Sequence, residues 1–178
     1  MTAAGPVLAG PADAACVIVG QAPGRRSDPT DPLAGAWLQR LARAAGLPDA
    51  ALRAVARRAT LLSAWPGRAP GDSGVDAWDA PAGRTAAGRL APELIGRRVV
   101  LLGRHVAGAF GLPGSLPWGA CVKVRVRPED PGGPEGEFLA LLLPHPSGVS
   151  HAWTVPACRL LAGAYLRAFL DGAPIEGA

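Results

Sequence analysis

The sequence predicts a doubly wound α/β domain, in which helices cover both faces of a mainly parallel sheet. Three short apolar runs carry this prediction: CVIVG at 16–20, RRVVLLG at 97–103 and FLALLLP at 138–144. Such uninterrupted runs are typical of strands that are buried on both faces. Helix-like segments alternate with them along the chain. We therefore expect ligands to bind beyond the carboxyl ends of the strands.

The first half of the chain starts with strand 16–20, followed by a loop and a Pro/Asp-rich segment. A helix is predicted at 36–45, where apolar residues recur at helical spacing and Gly46 ends the pattern. A second strand is predicted at 59–65. The long Gly- and Pro-rich segment after it has the length of a functional loop.

The second half repeats the strand and helix pattern. A helix at 84–95 precedes the buried strand at 97–103, and another helix, 104–111, begins directly at its end. CVKVRV alternates between apolar and polar residues, as a strand with one wet face does. After the last buried strand, a long amphipathic helix is predicted at 155–170.

Length and composition favour one domain. The chain has 178 residues, 49% of them hydrophobic, which suffices to bury about two thirds of its unfolded surface. We expect three parts along the chain: a flexible lead-in at 1–14, one domain at 15–172 and a tail at 173–178. The net charge of +4 favours a polyanionic partner, although seventeen of the eighteen basic residues are arginine, as a GC-rich coding sequence produces in any protein.

Several classes of protein are excluded by what the sequence lacks. Cys16, Cys121 and Cys158 are widely spaced and have no histidine at ligand spacing, so no metal site is expected. The first twenty residues lack the basic start and long apolar run that are typical of a signal peptide, and no segment has the roughly 18 uninterrupted apolar residues of a membrane helix. We therefore expect a cytoplasmic protein without a membrane partner. A monomer is the default expectation, and no cofactor is expected.

The three histidines lie in different contexts. His145 follows a buried strand in the segment His-Pro-Ser-Gly, where proline fixes the backbone and the imidazole can polarise a ligand or donate a proton. His105 begins a helix, and we favour a structural or solvent-exposed role for it. His151 either caps a loop or faces DNA. Of the three, His145 is the best placed for a functional role, and its own context is equally compatible with a structural one.

Two loops at strand ends form a specific pair of motifs. Gly-Gln-Ala-Pro-Gly at 20–24 follows the first strand, and His-Pro-Ser-Gly-Val-Ser at 145–150 follows the last. The pair resembles the signature motifs of the uracil-DNA glycosylase superfamily, which has an early Gly-x-x-Pro loop and a late His-Pro-Ser-type loop. The similarity covers 15–170, and it extends to the iron–sulfur-containing bacterial branch through three further segments: DPLAG at 31–35, TLLSAWPG at 60–67 and VVLLGRHVAGAFG at 99–111.

The resemblance implies a fold and an activity. The fold is a three-layer α/β/α sandwich with a central, mainly parallel four-stranded sheet. The activity is that of a monofunctional DNA glycosylase of base-excision repair, which flips uracil or a related deaminated or modified base from DNA and hydrolyses its bond to the sugar. The alternative is a catalytically silent DNA- or base-binding member. A nucleotide-binding domain is disfavoured, because the chain has neither a Gly-x-Gly-x-x-Gly nor a Walker motif.

The resemblance also assigns roles to residues. His145 would stabilise the anion of the departing base, and Gln21 would orient the attacking water. The base-pocket residues would be Gly20, Gln21, Ala22, Pro23, Leu33 and Thr60. The DNA-binding residues would be Gly24, Arg25, Arg26, Ser147, Gly148, Val149 and Trp153. Of these, Val149 would fill the vacated base stack, whereas the tryptophan could equally close the core.

The chain departs from the family pattern in its first loop. Active relatives carry Glu at the position of Gln21, or Asp or Asn at that of Ala22, so the usual water-positioning acid is missing. Asp28 or Asp31 in the next segment could swing in to replace it. We expect slow or narrow catalysis.

The predicted pocket departs as well. Leu33 stands where the iron–sulfur branch stacks a Phe on the base, and Thr60 stands where that branch reads the uracil edge with an Asn. Relaxed recognition of uracil follows if this alignment holds; otherwise Thr60 is an ordinary β-branched strand residue. The four cluster cysteines of that branch have no counterparts here.

Overall fold

The described part of the protein is a mixed α/β fold. The computed structural model describes residues 6–25, 31, 33, 35–71, 77–127, 133–146 and 150–173. The strands are β1 (Val7–Ala9), β2 (Cys16–Gly20), β3 (Ala56–Thr60), β4 (Arg98–Leu102), β5 (Cys121–Val126) and β6 (Gly136–Leu143). The helices are α1 (Ala36–Ala44), α2 (Asp49–Val55), α3 (Ala80–Leu94), α4 (Arg104–Ala109), α5 (His151–Thr154) and α6 (Pro156–Leu170). None of these helices is long and apolar enough to cross a lipid bilayer.

One sheet holds the six strands in the order β1-β3-β2-β4-β6-β5. The four central strands run parallel, as predicted. The predicted strand number of four is wrong, because β1 and β5 add an antiparallel strand at each edge. The sequence did predict β5 as a strand with one wet face, and from Lys123 to Val126 its side chains alternate between exposed and buried positions.

The boundaries of the first strands also differ from the prediction. Val7–Ala9, expected in a loose lead-in, pairs with β3, and its Leu8 lies opposite Ala59. The strand expected at 59–65 begins earlier, at Ala56. Two arginines at 57 and 58 interrupt the apolar pattern there, although Arg58 is only 5% exposed. The buried guanidinium is the reason that the apolar pattern missed the first three residues of this strand.

The predicted helices are present with small shifts. α1 and α6 lie within one residue of the expected ranges, and Gly46, with φ of 66°, follows α1 as expected. α3 begins four residues before its predicted start, because the Asp79 carboxylate caps it by accepting from the Ala82 N–H at 2.9 Å. α2 was not predicted.

Each face of the sheet has its own hydrophobic core, because alternate residues of a strand point to opposite faces. On β2, Cys16 and Ile18 join the core that includes buried residues of α1 and α6. Val17 and Val19 join the second core, together with residues of α3 and α4. The two cores fix β2 from both sides and thereby place the loop that follows it.

The carboxyl ends of the parallel strands meet at one edge. Gly20 lies opposite Thr60, and the Leu61 N–H donates to the Gly20 carbonyl at 3.1 Å, so the pairing continues past β3. The Gly103 N–H, directly after β4, donates to the Leu143 carbonyl at 2.8 Å. The loops after β2 and β6 are therefore separated only by the end of β4.

Candidate functional site

The loops that contain Gln21 and His145 flank the end of β4. A Cβ added at Gly103 would lie 3.4 Å from the Cβ of His145, so the loop after β6 packs directly on this glycine. Gly103 has a φ of 94°, a conformation in which glycine carries no steric penalty. Two strand spacings of about 4.8 Å separate β2 from β6, which puts the loops roughly 10 Å apart. One small planar ligand could contact both.

The side-chain amide of Gln21 is held at both ends. Its Nε2 donates to the Ala77 carbonyl at 3.0 Å, and its Oε1 lies 3.2 Å from Nδ1 of His105. An amide oxygen only accepts, so the proton of this hydrogen bond belongs to Nδ1. In the neutral imidazole, Nε2 is then an acceptor.

His105, for which we expected a structural or solvent-exposed role, makes an aromatic contact as well as the hydrogen bond to Gln21. Its ring stacks on Trp78 with 5.2 Å between centroids and 1° between planes. Desolvation by burial lowers the pKa of His105 below 6.5, so the neutral form prevails at pH 7. We call Gln21, His105 and Trp78 the Gln21 cluster. The signal in the sequence was the place of His105, one residue into the helix that follows a strand end.

The loop after β6 is anchored on both sides of His145. The Trp153 indole N–H donates to the Pro144 carbonyl at 2.8 Å, and Nη1 of Arg40 donates to the Pro146 carbonyl at 3.0 Å. The half-buried His145 ring lies 6.0 Å from the Trp37 ring, at an interplanar angle of 40°. The loop therefore rests on α1 and α5 and does not depend on its own short sequence for its position.

Three predicted base-pocket residues lie together. A Cβ at Gly20 would lie 3.0 Å from Leu33 Cδ2 and 3.9 Å from Thr60 Cγ2. Leu33 and Thr60 are both completely buried, and Pro23 is buried as well. The Thr60 hydroxyl oxygen has no hydrogen-bond partner among the described residues. Leu33 thus fills the space beside Gly20, and neither Leu33 nor Thr60 has exposed side-chain surface for a ligand.

The predicted DNA-binding residues fall into three groups. Gly24 and Arg25 are exposed, and the Arg25 guanidinium lies 5.7 Å from the Trp65 ring centroid. Trp153 is only 5% exposed, so its indole supports the loop and has little surface left for DNA. The remaining predicted residues, together with Asp28, lie outside the described residues: Arg26, Ser147, Gly148 and Val149.

Asp31 does not serve as a replacement acid for the first loop. Its Oδ1 accepts from Nε of Arg58 at 2.9 Å, and its Oδ2 accepts from Nη2 of Arg58 at 3.1 Å. Arg53 pairs with the same carboxylate. Two guanidinium groups therefore hold the Asp31 carboxylate, which is engaged away from the first loop.

Comparison with known proteins does not indicate a function for this chain. A scan against protein-family models and a search of curated proteins both find no match to this chain.

In the part of the chain that the structure describes, no group of three or more His, Cys, Asp or Glu side chains is placed to hold a metal ion. Burial also raises the pKa of Cys16 to about 12, so this thiol stays protonated.

Proposed function

We propose that this protein is a monofunctional DNA glycosylase that flips uracil or a related deaminated or modified base and hydrolyses its bond to the sugar. The observation that carries the proposal is the packing of His145 on Gly103, which brings the two motif loops to either side of β4. The superfamily that the motifs resemble has a three-layer α/β/α fold, and its site lies at the carboxyl ends of the parallel strands. DNA is the proposed partner, and a monomer without a cofactor is the proposed active form.

The proposed reaction needs one bond made and one broken. The oxygen of a water bonds to C1′ of the deoxyribose as the bond from C1′ to the base nitrogen breaks, and that electron pair leaves with the base. A donor aimed at a base oxygen lowers the cost of the anion that develops. His145 has that role in the proposal, because its loop is anchored on both sides and its ring is half-buried. The water loses a proton to a nearby acceptor or to solvent, and the released base takes one up.

The Gln21 cluster is the proposed source of water positioning. Gln21 already accepts from His105 and donates to Ala77. Its carbonyl oxygen has a second lone pair that can accept from a water. Because the neutral His105 fixes the amide orientation, the water-facing group of the first loop is held in place without a carboxylate.

A catalytically silent DNA- or base-binding protein is the second candidate. Two observations favour it: Asp31 is tied to Arg53 and Arg58, and both ends of the Gln21 amide are already engaged. Such a protein would hold a flipped base at the loops after β2 and β6 without releasing it.

The test is a single-turnover assay that scores abasic sites by alkali cleavage. The substrates are single- and double-stranded oligonucleotides carrying uracil, hypoxanthine, xanthine, 5-hydroxymethyluracil or a thymine mispair. Wild type is compared with His145→Ala, and Arg89→Gln on the exposed surface of α3 is the matched control. We expect release of one base by wild type and the control, and a loss of at least a hundredfold in H145A.

Binding of the same oligonucleotides separates the two candidates. Tight binding to one damaged base, with no release from any substrate, would replace the glycosylase with the silent binding protein. Equal release by wild type and H145A would remove His145 from the site.

A further inference from the structure

A large cleft lies between α1, α5 and α6, outside the Gln21 cluster and the predicted base pocket. Its volume is about 680 Å³. Its lining includes Arg40, Arg43, Trp153, Thr154, Arg159 and Leu160. We call it the arginine cleft. None of the DNA-binding residues predicted from the sequence, apart from Trp153, belongs to it.

The charge of the arginine cleft is uncompensated within the described structure. Arg43 and Arg159 form no ion pair with a described residue, and no described carboxylate lines the cleft. Asp49 lines a separate pocket beside Arg43 and is not part of the cleft; its Oδ2 accepts from Nε of Arg53 at 2.9 Å. Arginines that converge without an acid repel one another and raise the local potential, so an anion in the cleft is favoured.

The arginine cleft is continuous with the loop that carries His145. Arg40 lines the cleft and donates to the Pro146 carbonyl, and Trp153 forms part of the wall while its indole donates to Pro144. A group bound in the cleft therefore sits against the same side chains that anchor the loop. Leu160, 68% exposed, adds an apolar surface beside the charges.

We propose that the arginine cleft binds the phosphate backbone of a DNA strand next to the segment that enters the site. The choice of DNA rests on the proposed function. Guanidinium groups match phosphate oxygens with paired N–H donors, and the exposed leucine suits the apolar face of a deoxyribose. Backbone contacts of this kind fix the position of a strand without reading its sequence.

The test measures binding to an undamaged, fluorescein-labelled oligonucleotide by anisotropy at several salt concentrations. The variant is the double substitution Arg43→Gln and Arg159→Gln, and the control removes the same charge elsewhere, with Arg89→Gln on α3 and Arg125→Gln on β5. Loss of two phosphate contacts is expected to reduce the slope of log K against log salt by about 1.4 for single strands and about 1.8 for duplex. Affinity at low salt is expected to fall on the order of a hundredfold, and the control is expected to keep most of the slope.

A second variant, with lysine at both positions, separates charge from the guanidinium fork. It should keep most of the salt slope but bind more weakly than wild type. Thermal unfolding of each variant identifies any that is misfolded. If the glutamine double variant is misfolded, the affinity of the lysine double variant is compared with that of wild type instead.

The proposal and the proposed function fail in different ways. Suppose that wild type releases no base but R43Q/R159Q shows the expected loss of salt slope. That result supports phosphate binding by the arginine cleft and contradicts only the proposed glycosylase activity. A slope unchanged in R43Q/R159Q overturns the arginine cleft even if wild type excises a base. Absence of DNA binding by wild type, or binding of an acidic peptide that the double variant alone loses, also overturns it.

Discussion

Gln21 Oε1 accepts a hydrogen bond from His105 Nδ1 across 3.2 Å, which joins the loop after β2 to the first turn of α4. The contact fixes the amide in one orientation and the imidazole in one tautomer. Stacking on Trp78 limits the rotation of the same ring. The side chains of Gln21 and His105, 84 positions apart in the sequence, are thus held against each other at the carboxyl ends of the strands.

Replacing His105 tests whether this contact positions Gln21 for the proposed reaction. His105→Ala removes one hydrogen bond worth about 1 kcal/mol, so we expect single-turnover base release to slow roughly five- to tenfold, with little change in DNA binding. His105→Asn keeps an N–H donor and should recover part of the rate. An unchanged rate in H105A would show that Gln21 needs no anchor.

The acid sensitivity of folding should depend on His105. Burial lowers the pKa of this imidazole in the folded state, whereas the unfolded chain titrates near 6.5. As the pH falls below 6.5, the unfolded state takes up the proton first, so this contribution to stability is complete above 6.5 and is lost as the pH falls through the folded-state pKa.

Urea unfolding of wild type and His105→Gln at several pH values between 7.5 and 5 measures this effect. We expect the free energy of unfolding of wild type to fall more than that of H105Q over that interval. In proton spectra, the His105 signal is the one that wild type has and H105Q lacks, and we expect it to titrate below pH 6.5. A midpoint above 6.5 would contradict the desolvated position of the ring.

The contact between α1 and α6 depends on Gly163. A Cβ at this position would lie 1.9 Å from the Ala44 carbonyl oxygen, which is backbone and cannot rotate away. Gly163→Ala should therefore destabilise the fold by about 1–3 kcal/mol or more, measured by chemical unfolding. Gly108→Ala on α4 is the control, because a Cβ there meets nothing within 4 Å, and it should be neutral or stabilise by up to about 1 kcal/mol.

The ion pair between Asp31 and Arg58 should matter more than an exposed pair. Arg58 is 5% exposed, and Asp31→Ala leaves the Arg58 guanidinium without its carboxylate partner. Loss of one partner of a fully buried pair costs about 3–5 kcal/mol, and we expect a smaller cost here because the Asp31 side chain is 18% exposed. Asp171→Ala breaks the exposed Arg167 pair and should cost less than about 1 kcal/mol. Equal losses in thermal unfolding would mean that burial adds nothing to the Asp31 pair.

The apolar strands were predictable because burial on both faces leaves a continuous hydrophobic pattern. β4 and β6 were found in this way, and so was the edge at which Gln21 and His145 lie. β3 was shifted because Arg58 is buried through a specific ion pair, which no periodicity can reveal. β1 was missed because three half-buried residues carry too little pattern to mark an edge strand.

The candidate site was predictable only in part. The position of each loop follows from its strand, so the placement of His145 beside β4 could be anticipated. The partners of Gln21 could not, because Ala77 offers a backbone carbonyl and His105 lies far along the chain. The burial of Trp153 depends on its indole reaching a carbonyl of the neighbouring loop, which again is a tertiary contact.

The antiparallel strands at the two edges of the sheet also affect how copies of the protein can meet. β1 is only three residues long, and β5 carries the exposed Lys123 and Arg125, which pair with Glu137 on β6. A short edge strand and an edge strand with charged side chains both discourage another strand from adding to the sheet. Growth of the sheet from molecule to molecule, the usual route to fibrous aggregates, is therefore disfavoured at both ends.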